Sequence, residues 1–131
     1  MTDDGSEGQM AAAVEKLMHD NLLAVFNERE DGKRHAAAAQ TYAADVRWTD
    51  AEGTTTGLAA LEAKCVGLQN GLGGLQFEAV GPVHALEGFG YLAWRLVDPG
   101  SGQTPMSGFD AALISDGRIS HLWTVLTPAQ G

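Results

Sequence analysis

The stretch from Pro105 to Leu126, P-M-S-G-F-D-A-A-L-I-S-D-G-R-I-S-H-L-W-T-V-L, constrains the fold most, because it reads as two strands joined by a tight turn. Ser115-Asp116-Gly117 supplies the turn, since Asp and Gly tolerate the positive φ that close hairpins need. The first strand is apolar on both faces, with Met106, Ala112 and Ile114 on one and Phe109, Ala111 and Leu113 on the other. A strand covered on both sides lies deep in an assembly. Asp110 interrupts it. A carboxylate there must be paired, hydrogen-bonded or kept protonated, because a bare buried charge costs several kcal/mol. Asp110 is therefore either a structural carboxylate bonded at a sheet bulge or the acid of a pocket.

Two registers of the hairpin are open. A three-residue loop, Ser115 to Gly117, pairs Ile114 with Arg118 and sets Asp110 opposite Leu122. A two-residue Asp116-Gly117 turn sets Asp110 opposite Trp123, with His121 on the same face. One residue of slip reverses every side chain.

Upstream, Met1 to Gln9 reads as a flexible acidic leader, and apolar residues recur at helical spacing from Met10 to about Glu30 (Val14, Leu17, Met18, Leu22, Val25, Phe26). Asp31-Gly32 ends that helix, and an Ala-rich helix follows over Lys33 to Tyr42. Val46 to Asp50 alternates as a short strand, and Ala51 to Thr56 is a Gly-Thr loop. Gly57 then opens a third helix, Leu58 to about Gln69. The glycines of Asn70 to Gly74 lack the pattern of a phosphate-binding loop and read as a plain connection. Leu75 to Leu86, with a bulge or edge position at Gly81-Pro82, and Phe89 to Val97 are strands. Leu92, Trp94 and Leu96 share one face of the latter. Helices first and strands second, without βαβ alternation, indicate an α+β domain spanning residues 10–127, with 128–131 as a tail.

The 131 residues suit one domain with a single core, and eight basic against seventeen acidic side chains give a net charge of −9. Scattered basic residues on an acidic surface argue against nucleic acid and anionic membrane as partners. Met1 to Gln9 is too polar for a signal peptide, and no apolar run approaches a membrane span, so a cytoplasmic protein is expected. The lone Cys65 excludes an internal disulfide and reads as a small buried hydrophobe. His84 and His121 have no partner at ligand spacing, so no metal and no cofactor are expected.

The order of elements, with Y-A-A-D-V-R-W-T-D (Tyr42 to Asp50), the glycine and helix from Gly57, G-P-V-H (Gly81 to His84) and F-D-A-A-L-I-S-D-G-R-I (Phe109 to Ile119), resembles the nuclear transport factor 2-like superfamily. The resemblance covers about Met10 to Leu126 and is to its SnoaL-like polyketide cyclase and ketosteroid isomerase branch. It implies a cone: a strongly curved antiparallel sheet with the three helices of the N-terminal half on its concave face. An apolar pocket lies inside such a cone, and the outer sheet face makes a homodimer. The resemblance also favours the three-residue hairpin loop, which puts Leu122, Thr124 and Leu126 in the pocket and His121 and Trp123 on the outer, dimer-forming face.

By the same resemblance, Asp50 matches the isomerases' general base. Asp110 matches their protonated acid, which donates to the developing enolate; ketosteroid isomerase is the established example of a carboxyl kept neutral for that purpose. The isomerases' tyrosine near the end of the first helix is replaced by Val25 or Phe26, neither of which can donate. Polyketide cyclases use an Asp in the strand of Asp110 as acid/base. The expected ligand is a small hydrophobic carbonyl compound such as a steroid or polyketide, held by Phe26, Trp48, Leu92, Trp94, Leu96, Leu122, Thr124 and Leu126. The reaction implied is isomerisation or cyclisation by proton transfer. The alternative is a non-catalytic dimeric ligand-binding or accessory protein, in which Asp110 is structural and Asp50 caps its turn.

Overall fold

The computed structural model describes residues 4–128; residues 1–3 of the expected leader and 129–131 of the expected tail lie outside the described residues. Helix α1 (Asp4–His19) begins earlier than the apolar periodicity predicts and passes into a π-helical turn, Asp20–Phe26. There the amide of Asn27 donates to the carbonyl of Leu22, five residues back, at 3.1 Å. After α2 (Asp31–Thr41) come β1 (Tyr42–Asp50), β2 (Gly53–Thr56), α3 (Leu58–Leu72), β3 (Gln76–Leu86), β4 (Phe89–Val97), β5 (Met106–Ser115) and β6 (Arg118–Thr127). The expected Gly-Thr loop thus contains a short edge strand, β2, paired with β1.

The six strands form one curved sheet in the order β2-β1-β6-β5-β4-β3, open between β2 and β3. Neighbours are antiparallel except β1 and β6, which run parallel. Breaks in register bend the sheet: one lies between Val80 and His84, where Gly81 has φ +73°, as the Gly81-Pro82 pair predicts. The architecture is the α+β cone expected from the sequence.

The hairpin reaches the expected parity by a different route. Asp116 (φ 54°) and Gly117 (φ 77°) form a two-residue turn that pairs Ser115 with Arg118, not the three-residue loop. Ile114 then pairs with Ile119 but Leu113 with His121, so Ser120 is a bulge. That extra residue restores the parity that a three-residue loop would have produced. Asp110 faces Thr124 rather than Leu122 or Trp123. Leu122 and Thr124 share its face, and His121 and Trp123 alternate to the other.

One core fills the concave side. Val14, Met18, Leu22 and Val25 from α1 and the π turn, with Leu61 and Cys65 from α3, pack on Val46, Leu92, Ala112, Ile119 and Leu122. Burial pushes the Cys65 thiol up to about 11, the behaviour of an inert core residue. A Cβ at Gly90 would come within 2.8 Å of Met18 and Val14, so its absence lets α1 sit close on β4. Among the described residues nothing covers the opposite face of β5: Phe109 and Ala111 are half-buried and Leu113 is exposed. Among the described residues no helix is long and apolar enough to cross a membrane.

Candidate functional site

Asp110 points to the inner side of β5 and is 4% exposed. Its carboxylate is ringed by neutral donors from three elements. Thr124, directly across on β6, donates from Oγ1 to Oδ1 at 3.0 Å, and the indole Nε1 of Trp94 on β4 donates to the same oxygen at 3.1 Å. Asn21 of the π turn donates from Nδ2 to Oδ2 at 2.8 Å. Two of the donors are fixed from behind. Trp48 Nε1 donates to Thr124 Oγ1 at 3.0 Å, which directs the threonine proton toward Asp110; the Tyr42 hydroxyl donates to Asn21 Oδ1 and holds that side chain in place. An indole nitrogen can only donate, so Oδ1 of Asp110 acts as an acceptor in this network.

No cation contacts Asp110 among the described residues. Burial pushes its carboxyl up and the hydrogen bonds from Thr124, Trp94 and Asn21 pull it part of the way back, leaving it raised to about 6. Burial, and secondarily the charge of Asp110, likewise hold the Tyr42 hydroxyl well above the ordinary phenol range. A carboxyl that titrates just below neutrality is suited to accepting and returning a proton.

Space for a ligand adjoins it. A cavity of about 880 Å³ is lined by Asp110, Thr124, Trp48, Trp94, Phe26, Leu96 and Leu126 among others. Its aromatic wall is an edge-to-face chain: Phe26 to Trp48 at 5.0 Å, Phe26 to Phe77 at 6.1 Å and Phe77 to Trp94 at 5.1 Å between centroids. Gly108 makes room for this wall, since a Cβ there would meet the Trp94 ring at 2.7 and 2.9 Å. The wall is anchored by Asn27, whose side-chain amide pairs with both the N–H and the carbonyl of Phe77 at 2.7 and 2.8 Å. Gln69 donates to the carbonyls of Phe26 and Glu28 at 2.9 and 2.8 Å, satisfying the end of the π turn.

Two expected ligand contacts are corrected. Leu92 and Leu122 have the right parity but do not line the cavity; they are fully buried beside Asp110 in the closed core. Alternation assigns a face of a sheet, not a depth along the cone. Asp50 does line the cavity, at its mouth, and also caps its turn by accepting the Glu52 amide at 2.9 Å. It is not a free base: Lys64 Nζ lies 2.7 Å from Oδ2. His121 and Trp123 stack on each other on the outer face at 3.7 Å, with Trp123 also reaching the cavity mouth.

Four contributors escaped the sequence reading: Asn21, Tyr42, Lys64 and Phe77. Only Asn21 carried a usable signal, as a lone amide on the apolar side of its helix between Met18 and Leu22. Among the described residues no three His, Cys, Asp or Glu side chains converge as a metal site requires.

The architecture is a nuclear transport factor 2-like, SnoaL-like fold. No protein-family model matches the chain, and no curated protein matches it. Solved structures do. A candidate isomerase of the SnoaL-like family from Agrobacterium tumefaciens aligns over 89% of this chain and 99% of its own, with TM-score 0.82 and 22% identity. A candidate ketosteroid isomerase from Kribbella flavida covers 92% of this chain and 82% of its own (TM-score 0.71, 18% identity). A candidate SnoaL-like polyketide cyclase from Jannaschia covers 91% and 85% (TM-score 0.68, 17% identity). Identities this low establish the fold and leave the chemistry to the site itself.

Proposed function

We propose that the protein catalyses proton transfer on a small hydrophobic carbonyl compound, with Asp110 as its one acid/base. The observation that carries this reading is a carboxylate held by three neutral donors, with no cation, on the wall of an apolar cavity. The roles first expected for the two acids change. Asp50 is occupied by Lys64 at the mouth, and Asp110 accepts from Trp94 and Thr124 at Oδ1, which supports giving it the acid/base role. Asp110 would take a proton from a carbon beside the carbonyl, and the C–H electron pair would pass into the enolate. Returning that proton to another carbon isomerises the substrate. Attack of the enolate carbon on a second carbonyl of the same molecule, with the proton returned to the new alkoxide, closes a ring. Phe26, Trp48, Trp94 and Leu96 would hold the apolar body and exclude water.

The test is deuterium uptake from D2O into a panel of cyclic ketones and β-diketones, followed by NMR. Exchange should exceed buffer with the native protein and with Asp50→Asn, and vanish with Asp110→Asn. A panel with no exchange above buffer refutes the proposal.

The second reading, a non-catalytic binding protein, is favoured by one fact: both oxygens of Asp110 already accept hydrogen bonds from the protein. In either case we propose a homodimer through the outer sheet face. Tyr91 and Phe109 lie 5.1 Å apart there beside exposed Leu113, an apolar area suited to a second copy.

A further inference from the structure

Enolisation needs something to receive the negative charge on oxygen, and the isomerases' tyrosine has no counterpart here. The side chains that donate around Asp110 are engaged with one another: Trp94, Thr124 and Asn21 with the carboxylate, Trp48 with Thr124, and Tyr42 with Asn21. Among the described residues lining the cavity, Lys64 is the only one bearing a cation. It comes from the face of α3 that looks into the mouth. Its Nζ lies 4.7 Å from the centroid of the Trp48 ring, 2.7 Å from Asp50 and 3.9 Å from Glu52. Its side chain is 24% exposed, so most of its length is covered.

Building on the proton-transfer reading, we infer that Lys64 is a further catalytic residue, whose ammonium binds the carbonyl oxygen of the substrate and carries the enolate charge, with Asp50 positioning it. One indole stands between the two charged groups: Lys64 lies over the face of Trp48, and the Nε1 edge leads through Thr124 to Asp110. The substrate spans that distance, so the charge released at the carbon facing Asp110 reaches the oxygen facing Lys64 through conjugation. That describes an enone, a conjugated dicarbonyl or a phenol-like ring rather than an isolated saturated ketone. Atoms and electrons balance within the substrate and the Asp110 carboxyl: the C–H bond breaks, its pair shifts toward oxygen, and the ammonium stays protonated.

Asp50 tempers the lysine. An ion pair at 2.7 Å holds the ammonium in place, and it also spends part of its pull on anions. Removing Asp50 and removing Lys64 therefore push the site's affinity for an anion in opposite directions.

The experiment uses 4-nitrophenol, whose phenolate is visible by absorbance, and measures the affinities of its phenolate and phenol forms across pH. Lys64→Met should lower the phenolate-to-phenol affinity ratio about tenfold, the scale of one charge-assisted hydrogen bond. Lys64→Arg should retain most of the ratio, and Asp50→Asn should raise it. Glu52→Gln, at a more distant and exposed carboxylate, should leave it nearly unchanged. An unchanged ratio in Lys64→Met, a fall in Asp50→Asn, or no binding of either form overturns the assignment. Deuterium exchange by Asp110 is scored separately: exchange that persists in Lys64→Met at the native rate would spare the proton-transfer reading and sink only the role of Lys64.

Discussion

Replacing Asp110 with Asn tests whether the protein keeps an uncompensated charge inside its core. The folded carboxyl titrates at about 6 against an ordinary 3.8, chiefly because it is buried. Between those values the folded protein holds a proton that the unfolded chain has released. Stability therefore falls as pH rises from about 4 to about 6 and is level above that window. The gap corresponds to about 3 kcal/mol. The substituted amide would keep an oxygen for Trp94 and Thr124. Its nitrogen could face Asn21 once the Asn21 amide turns over, with the Tyr42 hydroxyl accepting in its place. The variant should thus lack the pH-dependent loss. Urea unfolding of both proteins at pH 4 and pH 8 gives most of that difference, and relative to the native protein Asp110→Asn should gain about 2–2.5 kcal/mol between the two conditions. A difference in unfolding free energy that is the same at both pH values would refute the idea of a burial-raised carboxyl.

Other outcomes follow from the same geometry. Thr124→Val removes one donor from Asp110 and strands the Trp48 N–H, so it should cost about 1–3 kcal/mol in urea unfolding and move the Asp110 midpoint further up. Gly108→Ala pushes a methyl into the Val125 carbonyl and the Trp94 ring and should cost at least about 1–3 kcal/mol, with the Trp94 indole proton shifting in NMR as its bond to Asp110 is disturbed. Gly67 faces the cavity mouth with nothing near its missing Cβ, so Gly67→Phe should obstruct ligand binding with little loss of stability; unchanged binding of an apolar fluorescent probe would argue against this entrance. Leu113→Glu on the outer face should halve the mass seen by light scattering, whereas a native protein already monomeric would end the dimer proposal.

Period-two alternation made much of this legible. The inward set Leu92, Trp94 and Leu96 follows from their spacing, and Asp110 announces itself as a charge among apolar neighbours. What the chain conceals depends on geometry that no local pattern encodes. The bulge at Ser120 sets the partner of Asp110, and nothing distinguishes Ser120 from its neighbours before the strands pair. Asn21 reaches Asp110 from a widened π turn, whereas the amphipathic pattern implies only an ordinary helix. Tyr42 looks like the end of the alanine-rich helix, yet it begins β1, where its hydroxyl supports Asn21. Lys64 reads as a solvated helix residue because its partners, Asp50 and Trp48, belong to a strand that only the folded chain brings beside it.

The most direct measurement of an acid/base role for Asp110 is the pH dependence of deuterium exchange into whichever conjugated carbonyl compound the native protein turns over. The rate should climb as the carboxyl loses its proton, with a midpoint near 6, and then level off; Asp110→Asn should leave only the buffer rate. A profile that Asp110→Asn leaves intact would contradict it.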